Sequence, residues 1–303
     1  MIAFGNSTIS QLFVGNNAVD KIYFGNDLIY TAQQPARTTW TAKTWNGFTN
    51  LDGRCIWTDG THIYYSSGSS QYELDKATST WTAKTWSGLT SFVGDKIWTD
   101  GTNIYFSNAK SYQYVLDKST STWTAKTWNG FTNLNGSCIW TDGTHIYYGT
   151  GASSVQYELD KSTSTWTAKT WSGVGYINGL KVQQYDYQGS KALFFDNVAS
   201  SSGTKNRYDI QVRKLNADAS GWTAVGSQYY LSVSSSASPA ESHFVADGIL
   251  YLGKTSYQLK FDNNSGELQP MTWNGYTSIN GQYVWKIEEH IYYSNANTQY
   301  ELV

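Results

Sequence analysis

The stretch Trp40-Thr-Ala-Lys-Thr-Trp45 recurs at Trp81, Trp123 and Trp166. Successive copies are 41, 42 and 43 residues apart. Repeats of this length with strand-forming residues are typical of propeller blades, in which four short strands make one unit. The chain is rich in Thr, Tyr, Trp, Ile and Gly and has almost no apolar pattern of helical spacing, which argues against a helical solenoid. The sequence therefore predicts an all-β protein built from blades.

Residues 46–86 show how one repeat divides into strands. Four strands are predicted, at 54–58, 62–66, 71–75 and 81–86. Asp59-Gly60 lies between the first two and is a hairpin signal, because both central residues of such a turn need positive φ. Consecutive large residues, as in Ile63-Tyr64-Tyr65, indicate strands that are covered on both faces by neighbouring blades.

The repeat decays along the chain, and following it gives the number of blades. Regular units occupy 46–86, 87–128 and 129–171, two less regular units follow, and a sixth begins at Asn274 but lacks a fourth strand. The first WTAKTW copy belongs to no other unit, so it is predicted to complete the sixth and to remove an exposed sheet edge. The sequence predicts a six-bladed β-propeller over 38–303, with blade six closed by strand 38–45.

One repeat also resembles a known family. An apolar strand at 63–65, Gly68, the segment Gln71-Tyr-Glu-Leu-Asp75 and Trp81 stand at offsets similar to those of the kelch repeat. The paired glycines of that family read here Ser67-Gly68, Asn108-Ala109 and Asn295-Ala296. The resemblance covers about 38–303 and implies a kelch-like β-propeller.

Residues 1–31 follow a different pattern. Gly-Asn recurs at 5, 15 and 25, each time before a short apolar strand, which predicts a small N-terminal β-meander. Thirty residues bury too little surface to be stable alone, so the meander needs a partner. Residues 13–30 resemble N-terminal segments of bacteriophage tail and other virion proteins. The resemblance implies that 1–31 is an attachment module that binds virion proteins, joined by a linker at 32–37 to a displayed propeller.

Composition restricts the classes of partner. Charged residues make up 15% of the 303 residues and the formal net charge is -2, which gives no field to attract nucleic acid. The sequence contains no uninterrupted apolar stretch long enough to span a bilayer, so no membrane insertion is predicted. The N-terminus lacks the basic and apolar regions of a signal peptide. We expect synthesis in the host cytoplasm and a final location in the virion, with a homo-oligomer as a candidate assembly.

The titratable residues are explained by the repeat. Cys55 and Cys138 occupy one repeat position and are predicted to be free, buried thiols. His62, His145 and His290 also share one position, each in a separate blade, where they cannot converge on a metal ion. The sequence predicts no catalytic residue, no metal site and no cofactor. A carbohydrate-active enzyme stays as an alternative, since paired carboxylates can meet in space.

Variation on one face of the propeller is typical of a recognition surface, and drift in loops without a function is the alternative interpretation. The loops before strand one and between strands two and three emerge on one face, and insertions at 197–206 and 227–242 fall there. The predicted ligand-binding rim consists of Tyr176, Asn197, Lys205, Arg207, Tyr229, Tyr230 and Tyr276. Aromatic side chains of this kind stack on sugars and anchor protein interfaces. Phe48 and Phe131, on the same rim, are expected to be core plugs between blades.

These observations lead to three hypotheses. The first is a non-enzymatic phage tail, fibre or receptor-binding protein, with a host surface glycan or protein as candidate ligand. The second is a structural virion decoration or fibre protein without a host ligand. The third is the carbohydrate-active enzyme.

Overall fold

The computed structural model describes residues 13–14, 17–18, 21–24, 27–31, 36–109, 111–150, 156–174, 177, 179, 182, 184–187, 190–197, 206–216, 218, 220–233, 243–254 and 257–303. Contacts divide the chain into two units, Met1–Arg37 and Thr38–Val303. In the first unit, two antiparallel strand pairs flank the predicted Gly-Asn turns at 15–16 and 25–26, which themselves lie outside the described residues. These pairs are Phe13–Val14 with Asn17–Ala18, and Lys21–Phe24 with Asp27–Thr31.

The described part of the second unit contains six sheets, each with a run of four antiparallel strands. Sheet 1 consists of Ile56–Thr58, Ile63–Gly68, Ser70–Asp75 and Thr80–Ala83. Sheet 2 consists of Ile97–Thr99, Ile104–Ser107, Gln113–Asp117 and Thr122–Ala125. Sheet 3 consists of Ile139–Thr141, Ile146–Tyr148, Gln156–Asp160 and Thr165–Lys169.

The remaining three sheets are less regular in sequence. Sheet 4 consists of Gln184–Tyr187, Ser190–Asn197, Asn206–Leu215 and Trp222–Val233. Sheet 5 consists of His243–Ala246, Ile249–Lys254, Tyr257–Asp262 and Glu267–Pro270. Sheet 6 consists of Val284–Ile287, His290–Ala296, Thr298–Leu302 and, from the start of the unit, Thr39–Ala42. The fold is therefore an all-β β-propeller.

The chain's beginning and end meet in sheet 6. Thr39–Ala42 pairs with Thr298–Leu302 in antiparallel register, and the Thr39 and Val303 backbones exchange hydrogen bonds of 3.3 and 2.9 Å. Asn274–Gly275 then pairs in parallel with Thr39 and Trp40. This is the position that the repeat predicts for the first WTAKTW copy.

Further short strands extend the sheets where one unit passes to the next. Asn46–Gly47 and Asn129–Gly130 pair in parallel with the fourth strands of sheets 1 and 3. Leu51–Asp52 pairs with the end of the second strand of sheet 6, and Phe92–Val93 pairs with that of sheet 1. These short strands tie neighbouring sheets together by backbone hydrogen bonds as well as by packing.

Apolar clusters fill the spaces between successive sheets. Among the described residues there are six, and each joins two sheets that follow one another along the chain, with the cluster around Trp285 and Trp81 joining sheet 6 back to sheet 1. The second strands are covered on both faces, as Ile63, Tyr64 and Tyr65 show with exposures of 8% or less. The large consecutive side chains of the repeat are therefore the packing layer between sheets.

The number of blades counted on the structure is five, one fewer than the six predicted from the sequence. Five of the sheets keep the short strands of the repeat. Sheet 4 departs from it, because its last two strands are 10 and 12 residues long. Sheet 4 thus differs from the other sheets in a long hairpin, formed by its last two strands, that the repeat does not contain.

A buried hydrogen bond fixes the first strand to the second in three sheets. The indole Nε1 of Trp57 donates to the hydroxyl of Ser66 at 2.9 Å, and sheets 2 and 6 repeat this bond at the same distance. Ser66 is fully buried. In sheet 3, Gly149 stands at the serine position, and Trp140 Nε1 has no partner among the described residues.

We expect Ser66→Ala to lower the free energy of unfolding by about 1 to 3 kcal/mol, because the Trp57 indole N–H then lies buried without an acceptor. Urea unfolding followed by tryptophan fluorescence measures the loss. Ser87→Ala, at an exposed position, is the matched control and should change stability by less than about 0.5 kcal/mol. Equal effects of the two substitutions would contradict a role for the indole bond.

The Asp-Gly turns carry a second set of polar contacts. Asp59 accepts hydrogen bonds from the backbone N–H groups of Thr61 and His62 at 2.8 and 2.7 Å, and from the Tyr64 hydroxyl at 3.2 Å. Burial alone would raise the pKa of Asp59, but these hydrogen bonds outweigh it and hold the pKa below 3.8. Asp100 and Asp142 show the same balance. The turns are thus stabilised by ionised carboxylates.

A depressed carboxyl pKa adds stability above the unfolded-state pKa and loses it as pH falls through the folded-state value. We therefore expect the urea midpoint to be flat near neutral pH and to fall below about pH 4. The triple variant Asp59→Asn, Asp100→Asn, Asp142→Asn should show a shallower fall, since an amide oxygen still accepts the backbone bonds and does not titrate. Glu267→Gln, exposed on sheet 5, should leave the slope unchanged. If the urea midpoint of the triple variant falls with pH as steeply as that of the wild type, these turns do not cause the loss of stability at low pH.

Candidate ligand-binding site

A cavity of about 430 Å³ lies where the sheets converge. Every sheet, or the segment leading into it, contributes to its wall, so the cavity lies on the axis around which the sheets are arranged. The wall includes Arg54, Asp95, Ser137, Gly179, His243 and Gln282. Its volume is in the range of small-molecule sites.

Short 3-10 turns bring four of these segments to the axis. Gly53–Cys55, Gly94–Lys96, Gly136–Cys138 and Gly281–Tyr283 each precede the first strand of a sheet. A Cβ atom on Gly53 would lie 2.0 Å from the Tyr283 carbonyl oxygen, and Gly94 and Gly136 lie equally close to the backbone of the turn before them. Glycine is needed for this approach, which brings successive turns together at the axis.

The residue after each of these glycines lines the cavity and differs from sheet to sheet. It is Arg54, Asp95, Ser137 and Gln282 in sheets 1, 2, 3 and 6. The turns lie at the end of the propeller from which the loops before strand one emerge. This is the face on which the sequence predicts recognition.

Arg54 is held in place from two sides. Its Nε and Nη2 atoms donate to the Asp52 carboxylate, the latter at 2.6 Å, and its guanidinium lies 4.8 Å from the centre of the Tyr283 ring. Hydrogen bonding to Asp52 raises the pKa of Arg54 above its usual value, so the group stays charged. These contacts occupy one edge and one face of the guanidinium and leave the edge that carries Nη1.

Asp95 and Ser137 are joined through Lys96. The Lys96 ammonium donates to Asp95 Oδ2 and to Ser137 Oγ, both at 3.1 Å. Ser137 in turn donates to Asn135 Oδ1 at 2.8 Å. The carboxylate and the hydroxyl of the cavity wall are therefore fixed by a network that crosses from sheet 2 to sheet 3.

Sheets 5 and 6 add His243 and Lys286. His243 is 5% exposed and begins the first strand of sheet 5, where sheets 1 to 3 have isoleucine. Lys286 takes the place of a threonine in sheets 1 to 3, and its side chain is 53% exposed. Phe244, Trp285 and Ile291 supply buried apolar parts of the wall.

A second cavity of about 320 Å³ lies between sheets 6 and 1. It is lined by Trp57, Trp285 and the exposed Lys76–Glu288 ion pair, whose atoms are 2.7 Å apart. Lys286 lines both cavities. The second cavity draws on sheets 1 and 6 alone, whereas residues from every part of the ring line the axial cavity, which makes the axial cavity the stronger candidate site.

None of the described residues of the predicted rim lines the axial cavity, and two members of that rim, Tyr176 and Lys205, fall outside the described residues. Asn197 ends the second strand of sheet 4, and Arg207 is the second residue of its third strand. Tyr229 and Tyr230 were expected in an irregular insertion, but both lie in the regular strand Trp222–Val233, opposite Ile210 and Asp209. The insertion prediction is wrong for 227–233, because strand pairing with 206–215 continues through it. Tyr229 is partly buried against the cluster between sheets 4 and 5.

Tyr276 belongs to the framework. It stacks on Tyr300 with ring centres 4.4 Å apart, and Phe48 and Phe131 stack in the same way on Tyr72 and Tyr157 at 4.2 Å. The prediction that Phe48 and Phe131 are packing residues is confirmed. Because Tyr276 makes the same contact, its ring is held by a stack that recurs around the propeller.

The axial residues were missed by sequence reasoning, although a signal was present. Repeats 1 to 3 are nearly identical along their first strands, yet the position before Cys55 changes from arginine to aspartate to serine. A column of substitutions inside an otherwise constant repeat marks a position that the framework does not constrain. Comparing the repeats position by position would have found it.

The cysteines and histidines do not form a reactive group. Cys55 and Cys138 are both free and buried, as predicted, and burial raises the pKa of Cys55 to about 12. Within the described parts of the chain, no three His, Cys, Asp or Glu side chains are placed to hold a metal ion. No helix among these residues is long and apolar enough to span a membrane.

No protein-family model and no curated protein matches this chain. Solved structures share its fold. An auxiliary nutrient binding protein from Bacteroides thetaiotaomicron superposes with a TM-score of 0.51 at 11% identity, over 92% of this chain and 78% of that one. The extracellular domain of a protein described as a hybrid two-component system, from the same organism, gives a TM-score of 0.48 at 10% identity. This chain spans 43% of that second structure. The first likeness shows the β-propeller fold.

Proposed function

We propose that this chain is a non-enzymatic binding protein that holds a small polar ligand in the axial cavity of its propeller. The main support for the proposal is that residues which differ between the repeats, in the innermost strands and turns, come together at this cavity. Elsewhere the first three repeats keep the same Trp, Tyr, Asp and Gly residues, as packing and turns require. Substitutions that converge in space are what a binding site produces on a repeated scaffold.

The departures are polar and come from separate sheets. Arg54, Asp95, Ser137 and Gln282 differ at one repeat position, His243 stands where sheets 1 to 3 have isoleucine, and Lys286 stands where those three sheets have threonine. A cavity with a few fixed polar groups and buried aromatic walls has the composition of a small-molecule site. The solved neighbour described as a nutrient-binding protein has a role of the same kind.

The wider setting that we propose is a virion. Residues 1–31 act as the attachment module, and the two strand pairs described there are consistent with the repeated hairpins that resemble phage tail proteins. The propeller is then a displayed receptor-binding domain with a host surface glycan or protein as its ligand. Antibody labelling of particles in electron micrographs tests the setting, and a chain absent from every particle would contradict it.

We also propose that all six sheets are blades and that the ring is six-bladed and kelch-like. Six clusters join the sheets in a closed order, and the wall of one cavity draws on every sheet. An experimental structure at side-chain resolution decides between six blades and five.

The binding proposal is tested by returning the cavity to the residues of the other repeats. The variant Arg54→Ser, Asp95→Ser, His243→Ile, Lys286→Thr uses only residues found at the same positions in folded sheets, so the framework should tolerate it. We expect a screen of sugars, organic acids, amino acids and nucleosides to find a ligand that raises the melting temperature of the wild-type protein. The same ligand should not stabilise the variant.

Two results would contradict this proposal. A ligand that stabilises both proteins equally binds outside the axial cavity, and a screen without any stabilising compound removes the small-molecule role. Product formation from any compound of the screen would show an enzyme instead.

A further inference from the structure

We propose that the axial cavity selects an acidic, hydroxylated ligand of about monosaccharide size, with its carboxylate bound by Arg54 and Lys286. This inference rests on the proposed binding function and names the chemical class of the ligand. It depends on the charges that line the cavity, on which of them are already matched by protein partners, and on the neutral groups beside them.

The first cation is pre-positioned. Asp52 and Tyr283 fix the Arg54 guanidinium, and no described group accepts a hydrogen bond from its Nη1 atom. A planar guanidinium with one edge already occupied presents its remaining N–H donors in a fixed direction. Little conformational entropy is then lost when an anion binds, which favours a specific contact over a diffuse attraction.

The second cation is weakly matched within the protein. Lys286 Nζ lies 3.7 Å from Glu289, whose side chain is 93% exposed. Such a pair is screened by solvent and contributes little. Threonine at this position in sheets 1 to 3 shows that the fold does not need the ammonium. A bound carboxylate would give Lys286 a partner inside the cavity.

The negative charge of the wall is already matched. Asp95 pairs with Lys96 at 3.1 Å, so its charge does not cancel those of Arg54 and Lys286. Arg54 is likewise paired with Asp52, through Nε and Nη2, and keeps its Nη1 edge for a ligand. Of the charged side chains that line the cavity, Lys286 therefore has the weakest protein partner.

The remaining polar groups suit hydroxyl groups. Asp95 accepts hydrogen bonds, while Ser137 and the Gln282 amide both donate and accept. A simple anion would leave these groups without ligand contacts, whereas a sugar acid places hydroxyls around its carboxylate. Phe244 and Trp285 also line the cavity, but their rings pack in the clusters between sheets 5 and 6 and between sheets 6 and 1, so the polar groups provide the selectivity.

The test compares two compounds that differ only at the carboxylate. We expect calorimetry of the full-length chain to show methyl β-glucuronide binding at least about tenfold more tightly than methyl β-glucoside, because one charged hydrogen bond contributes that much. Arg54→Ser and Lys286→Thr should each weaken glucuronide binding about tenfold and leave glucoside binding unchanged. Lys286→Arg, which keeps the charge, should retain most of the affinity.

A matched control separates a local contact from the overall charge. Lys118→Ala removes one exposed cation, which contacts the Asp59 carbonyl oxygen away from the cavity, and should not change glucuronide affinity. A glucuronate-terminated oligosaccharide distinguishes the source of the ligand. Tighter binding than the methyl glycoside indicates the end of a glycan chain, and equal binding indicates the free sugar acid.

Equal affinity for glucuronide and glucoside, or no glucuronide binding at all, would overturn the inference. If either compound still binds the wild-type protein and is lost in the four-substitution cavity variant, the binding function stands and only the anionic class fails. If the broad screen also yields no ligand, both proposals fail together.

Discussion

Deletion of residues 36–45 is expected to abolish cooperative folding of the propeller. Trp40 is 1% exposed and belongs to the cluster between sheets 5 and 6, and Trp45 is 4% exposed in the cluster between sheets 6 and 1. Losing each buried tryptophan costs about 3 to 5 kcal/mol. The sum is comparable with the whole stability of a typical domain, about 5 to 15 kcal/mol. The deletion also exposes the edge of the strand Thr298–Leu302.

The measurement is urea unfolding followed by circular dichroism and tryptophan fluorescence, with soluble yield as a second readout. The point variant Trp40→Ala should be intermediate, with a loss of about 3 to 5 kcal/mol and a transition that stays cooperative. A deleted protein that unfolds with the wild-type midpoint would show that 36–45 does not close sheet 6.

Moving the strand to the other end of the chain is the control for the deletion. Thr39 lies beside Val303, and in sheet 2 the equivalent strands are joined by the turn between Asp117 and Thr122. Appending the sequence of residues 118–128 after Val303 of the deleted chain therefore rebuilds the strand through a turn that the fold already uses. We expect this permuted chain to recover cooperative unfolding. Failure of the rescue would mean that 36–45 has a role besides strand pairing.

The second large effect is expected from Gly47→Ala. Gly47 has φ +74°, and a Cβ atom there would lie 2.2 Å from the Trp81 carbonyl oxygen. The conformation alone costs alanine about 1 to 2 kcal/mol. The clash is with backbone, which cannot move without breaking the parallel pairing of Asn46–Gly47 with Thr80 and Trp81. We expect a total loss of about 3 kcal/mol or more.

Gly60→Ala is the matched control for this prediction. Gly60 also has positive φ, +94°, but a Cβ atom there would have no neighbour within 4 Å. Its substitution should cost only the conformational part, about 1 to 2 kcal/mol. Urea midpoints of the two variants measure the difference. Equal losses would show that the approach to Trp81 is relaxed and that φ explains both effects.

The class of fold and the strand pattern follow from local sequence. Asp-Gly turns, the Trp-Thr-Ala strand and the apolar Ile-Tyr-Tyr strand each specify their own conformation, and their repetition makes every sheet after the first predictable. The same logic accounts for Cys55 and Cys138 as buried thiols. Prediction weakened at sheet 4, where the strand Trp222–Val233 runs through residues expected to be a loop. Residues 229–233 pair with 206–210 and extend this hairpin, but Gly226 and Ser227, which precede them, give a turn signal in the sequence.

The position of the candidate site is the part that only the tertiary structure decided. The sequence predicted a binding site at the rim of sheets 4 and 5, because the loops there vary in length. The structure instead brings single substitutions from separate sheets together at the axis. Arg54 and Lys286 are far apart in sequence and line one cavity because the last sheet packs against the first.

By itself, the sequence determined an all-β repeat and the strand from the beginning of the propeller that completes its last sheet, because strands and turns are encoded by neighbouring residues. The tertiary structure decided which repeat position faces the axis and which charges there stay available to a ligand. Those properties depend on how the sheets close around a common centre, and no single repeat contains that information.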